Sequence, residues 1–357
     1  IIFVLYYNKT LMDNSKIMLL SKGEEDKYLT GESTNTFFKD SYKQHSNFSQ
    51  RWSTIPVIKC DPVRIPTQEG DLLYNLWLTC NGFNPAQGGA GAGGALDFID
   101  TITIKCDDKV LQTLDYNFLN IHNKIITNSN QFQIQNSQLS SVAQDPLFLK
   151  IPFWFSKNPG SALPLWLLDK SNLTLTIKIK SRYSSWNLDF QFIAQWINLT
   201  PKEKDVFKNS SLEYLIEQVD ILNKVNLDNK TRVKIDIPRS KFVKYLAWNI
   251  RQTAAVAWPE ELMSIDWIEK NTLLLDGVPI IDDKPAYFTR ITNRYNNFKG
   301  PNYEESWDGM GEHKNDLHIH VASFSIDPAK FQSSGFLTTE KYKNFTLEIS
   351  RCNIKNS

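Results

Sequence analysis

In Asn172–Lys180, NLTLTIKIK, the residues Leu173, Leu175, Ile177 and Ile179 alternate strictly with Thr174, Thr176, Lys178 and Lys180. Successive strand side chains point to opposite faces, so this segment has one apolar face and one wet face. The same period recurs at Ile102, Ile104 and Cys106, and at Phe190, Phe192, Ala194 and Trp196. It returns at Val233, Ile235 and Ile237, at Leu317, Ile319 and Val321, and at Phe345, Leu347 and Ile349. Short half-buried strands separated by Gly, Pro and Asn turns predict β-sandwiches or jelly rolls. Helical signals are few. Leu114, Phe118, Ile121 and Ile125 make one stripe, predicting a short amphipathic helix among the strands. At Thr200–Ile221, Thr200 can cap a helix, Pro201 suits its first position and Glu203 completes a T-x-x-E capping box. A strand is expected to resume over Leu212–Ile221.

The chain has 357 residues, more than the ~250–300 that one core comfortably serves. The Thr200–Ile221 joint therefore reads as a connector between two β-rich halves. Thr272–Arg290 resembles Thr101–Phe118: each has an apolar strand, an acidic turn, then an aliphatic, an acidic and an aromatic residue. The 41% hydrophobic content, with 10 Trp, is too high for disorder. Net charge is +1 with no basic run, so nothing calls for nucleic acid. Cys60, Cys80, Cys106 and Cys352 form no C-x-x-C pair and read as buried thiols of a reducing compartment. Ile1–Tyr7 is apolar but far short of the ~20 residues of a membrane span, and Met12 reads as the true start.

Three segments are expected to be loops or turns. A hairpin turn at Gly70–Asp71 would join VRIP to LLYNLWL. Asn81–Gly94 is Gly-rich but lacks the G-K-[ST] ending of a phosphate loop. Asn296–Asn315 is a polar loop. Ile151–Leu168 reads as an aromatic strand, an Asn-Pro-Gly turn, and an Ala-Leu-Pro-Leu segment whose Pro164 belongs at a sheet edge.

Chemistry is sparse. His318 and His320 share a strand face and could pair on a metal with His313 or Asp316. A solvated face opposite Leu317, Ile319 and Val321 is the preferred reading. Glu304, Glu305, Asp308 and Glu312 cluster near Trp307, as a glycosidase pair would, though an acidic loop tip is the commoner origin. His122 reads as a surface or packing residue. No G-x-S-x-G elbow or local Cys–His signature occurs. No catalytic residue, cofactor or committed metal site is expected. The sequons at Asn8, Asn47, Asn172, Asn198, Asn209, Asn229 and Asn344 are expected to be chance matches in an Asn-rich chain.

Five ordered stretches resemble one family. They are YLTG at Tyr28–Gly31 with TFFK at Thr36–Lys39 and NFS at Asn47–Ser49; GDL at Gly70–Leu72; Ile151–Leu165; EYLIEQ at Glu213–Gln218 with KYLAWN at Lys244–Asn249; and Ser323–Gly335. Together they resemble the major capsid protein of nucleocytoplasmic large DNA viruses, of the chlorella-virus and iridovirus type. The resemblance implies two tandem eight-stranded jelly rolls, all-β with short inserted helices. It places an arm at 1–27, a first jelly roll at 28–205 and a second at 206–357 with its last strand missing. The family's Pro-Ser-Gly turn is Ser333-Ser334-Gly335 here. The implied function is a structural subunit whose trimers form pseudo-hexagonal capsomers in an icosahedral shell. A minor capsid or penton-like role, and a glycan-binding or glycan-cleaving double β-sandwich, are the alternatives. The implied partners are the chain itself as homotrimer, neighbouring capsomers, minor capsid proteins and, indirectly, an internal viral membrane, with no direct nucleic acid. The implied place is the virion, assembled in host cytoplasm. The expected structural determinants are Tyr28, Gly31, Phe37, Phe38, Asn47, Phe48, Pro159, Gly160, Leu163, Pro164, Glu213, Tyr214, Tyr245 and Trp248.

Overall fold

The structure is a computed structural model that describes residues 23, 28, 44–57, 61–81, 98–128, 130–131, 147–168, 172–184, 188–222, 224–227, 230–240, 242–250, 268–298 and 318–351. Residues 1–47 and 48–357 are separate compact units; the account below concerns the second.

Among the described residues its first half carries nine strands: β1 (Phe48–Pro56), β2 (Val63–Arg64), β3 (Leu72–Asn81), β4 (Ile99–Cys106), β5 (Lys109–Asp115), β6 (Leu147–Lys150), β7 (Leu163–Pro164), β8 (Leu173–Ile179) and β9 (Asp189–Leu199). They form two sheets, ordered β1-β9-β3-β6 and β2-β8-β4-β5, with β7 on the flank of β3. Apart from the β4–β5 hairpin and the neighbours β6 and β7, consecutive strands switch between the sheets, so each sheet is assembled largely from distant segments. Between them, Leu73, Leu76, Leu78, Phe98, Ile102, Phe190, Phe192 and Trp196 are wholly buried. The alternations seen at 173–179 and 190–196 are the inward faces of β8 and β9.

The second half follows helix α2 below with β10 (Arg232–Asp236), β11 (Tyr245–Trp248), β12 (Ile268–Leu275), β13 (Val278–Pro285), β14 (His320–Ser323) and β15 (Phe345–Arg351). Its sheets are β10-β15-β12-β13 and β11-β14. The first copies the order β2-β8-β4-β5, and the β11-β14 pair copies β3-β6. The suspected repeat is thus structural. At the β4–β5 turn Asp107 has φ 53°, and at the β12–β13 turn Asp276 has φ 47°. Asp107 Oδ1 accepts the Asn172 amide at 2.7 Å. Asp276 Oδ1 accepts the Lys343 and Asn344 amides, each at 2.7 Å. Two of the sequon asparagines, Asn172 and Asn344, are therefore matching strand-entry residues, each held by the acidic turn of a hairpin.

Two helices meet the expected positions. Helix α1 spans Tyr116–Ile125, with Asp115 as N-cap accepting Phe118 N at 2.7 Å. Leu114 belongs to β5 rather than to the helical stripe, because the Asp115 cap ends the strand there. Helix α2 spans Pro201–Asn209, with Thr200 Oγ1 accepting Glu203 N.

Three expectations are corrected. β2 and β3 lie in different sheets, so Gly70–Asp71 is a crossover and not a hairpin turn. A Cβ on Gly70 would lie 2.5 Å from Trp196 Cβ, so this glycine is demanded by close approach. The aromatic run at 153–156 is not a strand: Trp154–Ser156 is a 3₁₀ turn. Leu212–Ile221 has no ladder among the described residues; it reaches the edge strand β5 through the Gln218 side chain. Pro164, by contrast, sits in the two-residue edge strand β7 as its missing N–H requires.

Candidate functional site: the seam between the halves

The stretch that fails to be a strand is held by its side chains. Glu217 Oε2 accepts Lys157 Nζ, from the loop after the 3₁₀ turn of the first half. Glu217 Oε1 accepts Lys244 Nζ, just before β11 of the second half, at 2.6 Å. Lys244 Nζ also donates to Lys330 O at 3.0 Å. These side chains are only 17–28% exposed. Burial works against the Glu217 carboxylate, but the two ammoniums outweigh it and hold its pKa below the usual value of 4.5. Burial lowers the pKa of Lys157 below its usual value, with Glu217 opposing that shift. Two more bonds extend the bracket: Gln218 Nε2 donates to Leu111 O at 3.4 Å, and Ser240 Oγ to Asp220 Oδ2 at 3.2 Å. Val219 packs on the first core.

A second tie is apolar. Ile125 of α1 is wholly buried with Phe298, Ile319 and Val321 of the second half, flanked by Ile121, Ile126, Tyr245 and Ala247. Tyr245 and Phe298 meet edge-to-face at 5.5 Å. Arg294 Nη2 donates to Lys124 O at 2.9 Å, putting a cation on the carbonyl end of α1, where the helix dipole is negative. Burial, then Glu217, pushes the Tyr245 hydroxyl far above its usual pKa, so it stays protonated. His122 packs against Phe118, ring centroids 5.6 Å apart and tilted by 49°. Burial and then Lys157 and Lys150 hold its pKa far below the usual value, so the ring packs as a neutral group.

The expected determinants divide. Tyr245 and Trp248 lie on β11 and face opposite ways, Tyr245 into the seam and Trp248 into the second core. Leu163 and Pro164 form β7. Pro159 and Gly160 form a 3₁₀ turn in which Asn158 Oδ1 accepts Gly160 N at 2.8 Å. Glu213 is exposed and Tyr214 half-buried; the anchoring residue of EYLIEQ is Glu217. Tyr28, Asn47 and Phe48 are exposed. Gly31, Phe37 and Phe38 lie outside the described residues.

His318 and His320 are not a same-face pair. His318 precedes β14 in left-handed backbone with φ 44°, and its Nδ1 lies 3.3 Å from Arg290 Nη1. His320 is not on a solvated face but 1% exposed, stacked on Trp248 at 6.0 Å and bonded through Nδ1 to Thr289 Oγ1 at 2.9 Å. Its neighbours satisfy it as a core residue. Glu304, Glu305, Asp308, Glu312, His313 and Asp316 lie outside the described residues. Cys80 is a buried thiol and Cys106 a half-buried one.

Sequence reading missed the Glu217 bracket. Its signal was present: Lys157, Glu217 and Lys244 each lie inside one of the family-like stretches. A charge that recurs in such stretches is a candidate partner for another.

The family profile for the N-terminus of major capsid proteins matches residues 36–212. The major capsid protein of Pyramimonas orientalis virus is 22% identical over 387 aligned positions, covering 97% of this chain and 94% of the relative. That of Paramecium bursaria Chlorella virus 1 is 22% identical, covering 93% of this chain and 86% of the relative. The solved structure of PBCV-1 VP54, fitted into a reconstruction of the virophage Sputnik, superposes with a TM-score of 0.72 at 17% identity, covering 88% of this chain and 87% of that one. The fold is the double jelly roll, and along nearly its whole length the chain is similar to the major capsid proteins of these viruses.

Proposed function

We propose that this chain is a structural shell subunit, not an enzyme, that forms a homotrimer whose six jelly-roll halves make a pseudo-hexagonal capsomer. The observation that carries this is the repeated sheet order of the two halves, locked side by side by the Glu217 bracket and the Ile125 seam. Two like bodies at a fixed angle, copied three times about one axis, approximate a hexagon and can tile a facet. The relatives named above are major capsid proteins, which supports the same reading. In this reading the halves divide at 205/206, with residues 1–27 as an arm. The partners are further copies, neighbouring capsomers and minor capsid proteins, with contact to an internal membrane only through these. The place of function is the virion, after assembly in host cytoplasm. The structural determinants are those of the sequence analysis with Glu217, Lys157 and Lys244 added. Light scattering on size-fractionated protein, with negative-stain imaging of the peak, tests this. Trimers with hexagonal outline are expected, and a monomer at every concentration would refute the reading.

A further inference from the structure

Two loops at one end of the second half have counterparts in the first. Residues 237–244 join β10 to β11 as 65–71 join β2 to β3, and residues 324–344 join β14 to β15 as 151–172 join β6 to β8. In the first half these loops turn large apolar residues inward: Ile65, Phe153, Trp154 and Phe155 are all buried. In the second half Phe242, Phe336 and Ile326 are 64%, 53% and 78% exposed. Scattered single apolar residues on a surface need no explanation, but adjoining ones mark a place of contact.

These residues adjoin, and their backbone is fixed. Phe242 and Phe336 meet edge-to-face with ring centroids 4.6 Å apart. Behind them Val243 and Leu337 exchange backbone bonds of 2.8 and 2.9 Å, and Leu337 and Tyr342 pack on the second core. Thr339 Oγ1 accepts Ser240 N at 2.8 Å, and Arg239 Nη1 donates to Tyr342 O at 3.3 Å. Ser334 Oγ accepts Asp327 N at 2.9 Å, which ties the Ile326 turn to the residues before Phe336. Four exposed cations, Arg239, Lys330, Lys341 and Lys343, lie on the same loops. The carboxylates around them are engaged by the protein itself. Asp220 accepts Ser240 Oγ at 3.2 Å, Asp236 accepts Thr346 Oγ1 at 3.1 Å, and Asp276 accepts the Lys343 and Asn344 amides. Asp327 is buried, accepts Ala329 N at 3.2 Å and lies 3.6 Å from Lys330 Nζ. Among the described residues of these loops Glu340 is the exposed acid, so the outward charge is positive.

We infer that this end of the second half docks directly on an anionic lipid surface, with Phe242, Phe336 and Ile326 entering the headgroup layer and the four cations meeting lipid phosphates. Charge complementarity selects this occupant. An apolar protein face or a neutral bilayer would take the rings and leave the cations without counter-charge, whereas an anionic bilayer boundary takes both. No described helix is long and apolar enough to cross a membrane, and the contact needs none, because it is interfacial. Rings already packed on each other over a fixed backbone lose little freedom on docking. The inference goes beyond the capsomer reading, which lets the chain meet a membrane only through partner proteins, and it does not depend on the trimer.

The test is co-sedimentation of the full chain with sucrose-loaded vesicles of phosphatidylcholine, alone or mixed with phosphatidylserine. Each cation near an anionic surface contributes about fivefold to partitioning, so wild type should bind the mixed vesicles at least about tenfold better than the neutral ones and release them as salt rises. Phe242→Ser/Phe336→Ser and, separately, Lys341→Gln/Lys343→Gln should each weaken binding by about tenfold or more. All four positions are exposed, so both variants should unfold within about 3 °C of wild type. Wild type that stays in the supernatant, or binds both vesicles equally, overturns the inference, as does either folded variant that binds like wild type. Self-association lost in the ring variant, with no vesicle binding, assigns the patch to a second copy and overturns it too. A second measurement guards against misfolding: Ile326→Cys carrying an environment-sensitive fluorophore, against wild type put through the same labelling. A blue shift specific to Ile326→Cys with mixed vesicles supports the docking, and unchanged emission overturns it. None of these outcomes decides whether the chain is a trimer.

Discussion

Replacing Glu217 by Ala removes the carboxylate that two lysines share across the seam. Exposed ion pairs are worth about 0–1 kcal/mol, whereas stripping one partner from a buried pair costs about 3–5 kcal/mol. Lys157, Glu217 and Lys244 keep 20%, 28% and 17% of their side-chain surface in solvent. That places the loss between the two limits, nearer the buried one, at about 2–3 kcal/mol. Two ammoniums would then face each other with no counter-charge. In urea this corresponds to a midpoint lower by roughly 0.5–1 M. Glu217→Gln keeps the shape without the charge and should lose nearly as much. The pH dependence follows from the depressed carboxyl pKa. The stabilisation is fully present above the unfolded value of 4.5 and is lost as pH falls through the lower folded value. The gap between wild type and Glu217→Gln should therefore be constant from neutrality to pH 4.5 and close below it. Double-mutant cycles with Lys157→Met and Lys244→Met isolate the pair terms. Coupling energies under about 0.5 kcal/mol in both cycles would refute the bracket, whatever the single-variant losses.

Two further outcomes concern the frame around the seam. Gly335 has φ 142°, and a Cβ there would lie 2.8 Å from Phe324 O, while one on Gly70 would lie 2.5 Å from Trp196 Cβ. Either glycine-to-alanine change should destabilise by about 1–3 kcal/mol in chemical unfolding, and an unchanged midpoint would show that the backbone yields freely. Asp276→Ala removes both amide contacts at the entry to β15, where Asp107→Ala removes one at β8. The first should lose more, about 1–3 kcal/mol, with amide exchange quickened at Lys343 and Asn344; equal exchange in the variant would show that the turn holds without the carboxylate.

The fold class was legible because alternation has a mechanical meaning. Leu173, Leu175 and Ile177 must share a face on any strand, and the structure buries all three. The Thr200 cap and the Asp-bearing hairpin turns were legible for the same reason, since local hydrogen bonding decides them within a few residues. Segments that depend on a neighbour were not. The aromatic run at 153–156 and the Leu212–Ile221 stretch have strand-like residues, but a ladder needs a second backbone beside the first. The histidine pair was misjudged because spacing gave no sign of the left-handed turn at His318, which breaks the strand before His320 enters it.

By itself the sequence determined two β-rich halves, the connector between them, the inward face of each long strand and the capsid family they resemble. Only the tertiary structure decided that Lys157, Glu217 and Lys244 meet, though 60 residues separate the first two and 27 the last. Periodicity is a property of one segment, so a sequence can display it. A charge bracket between two bodies exists only once both have folded and their cores have set the distance between them.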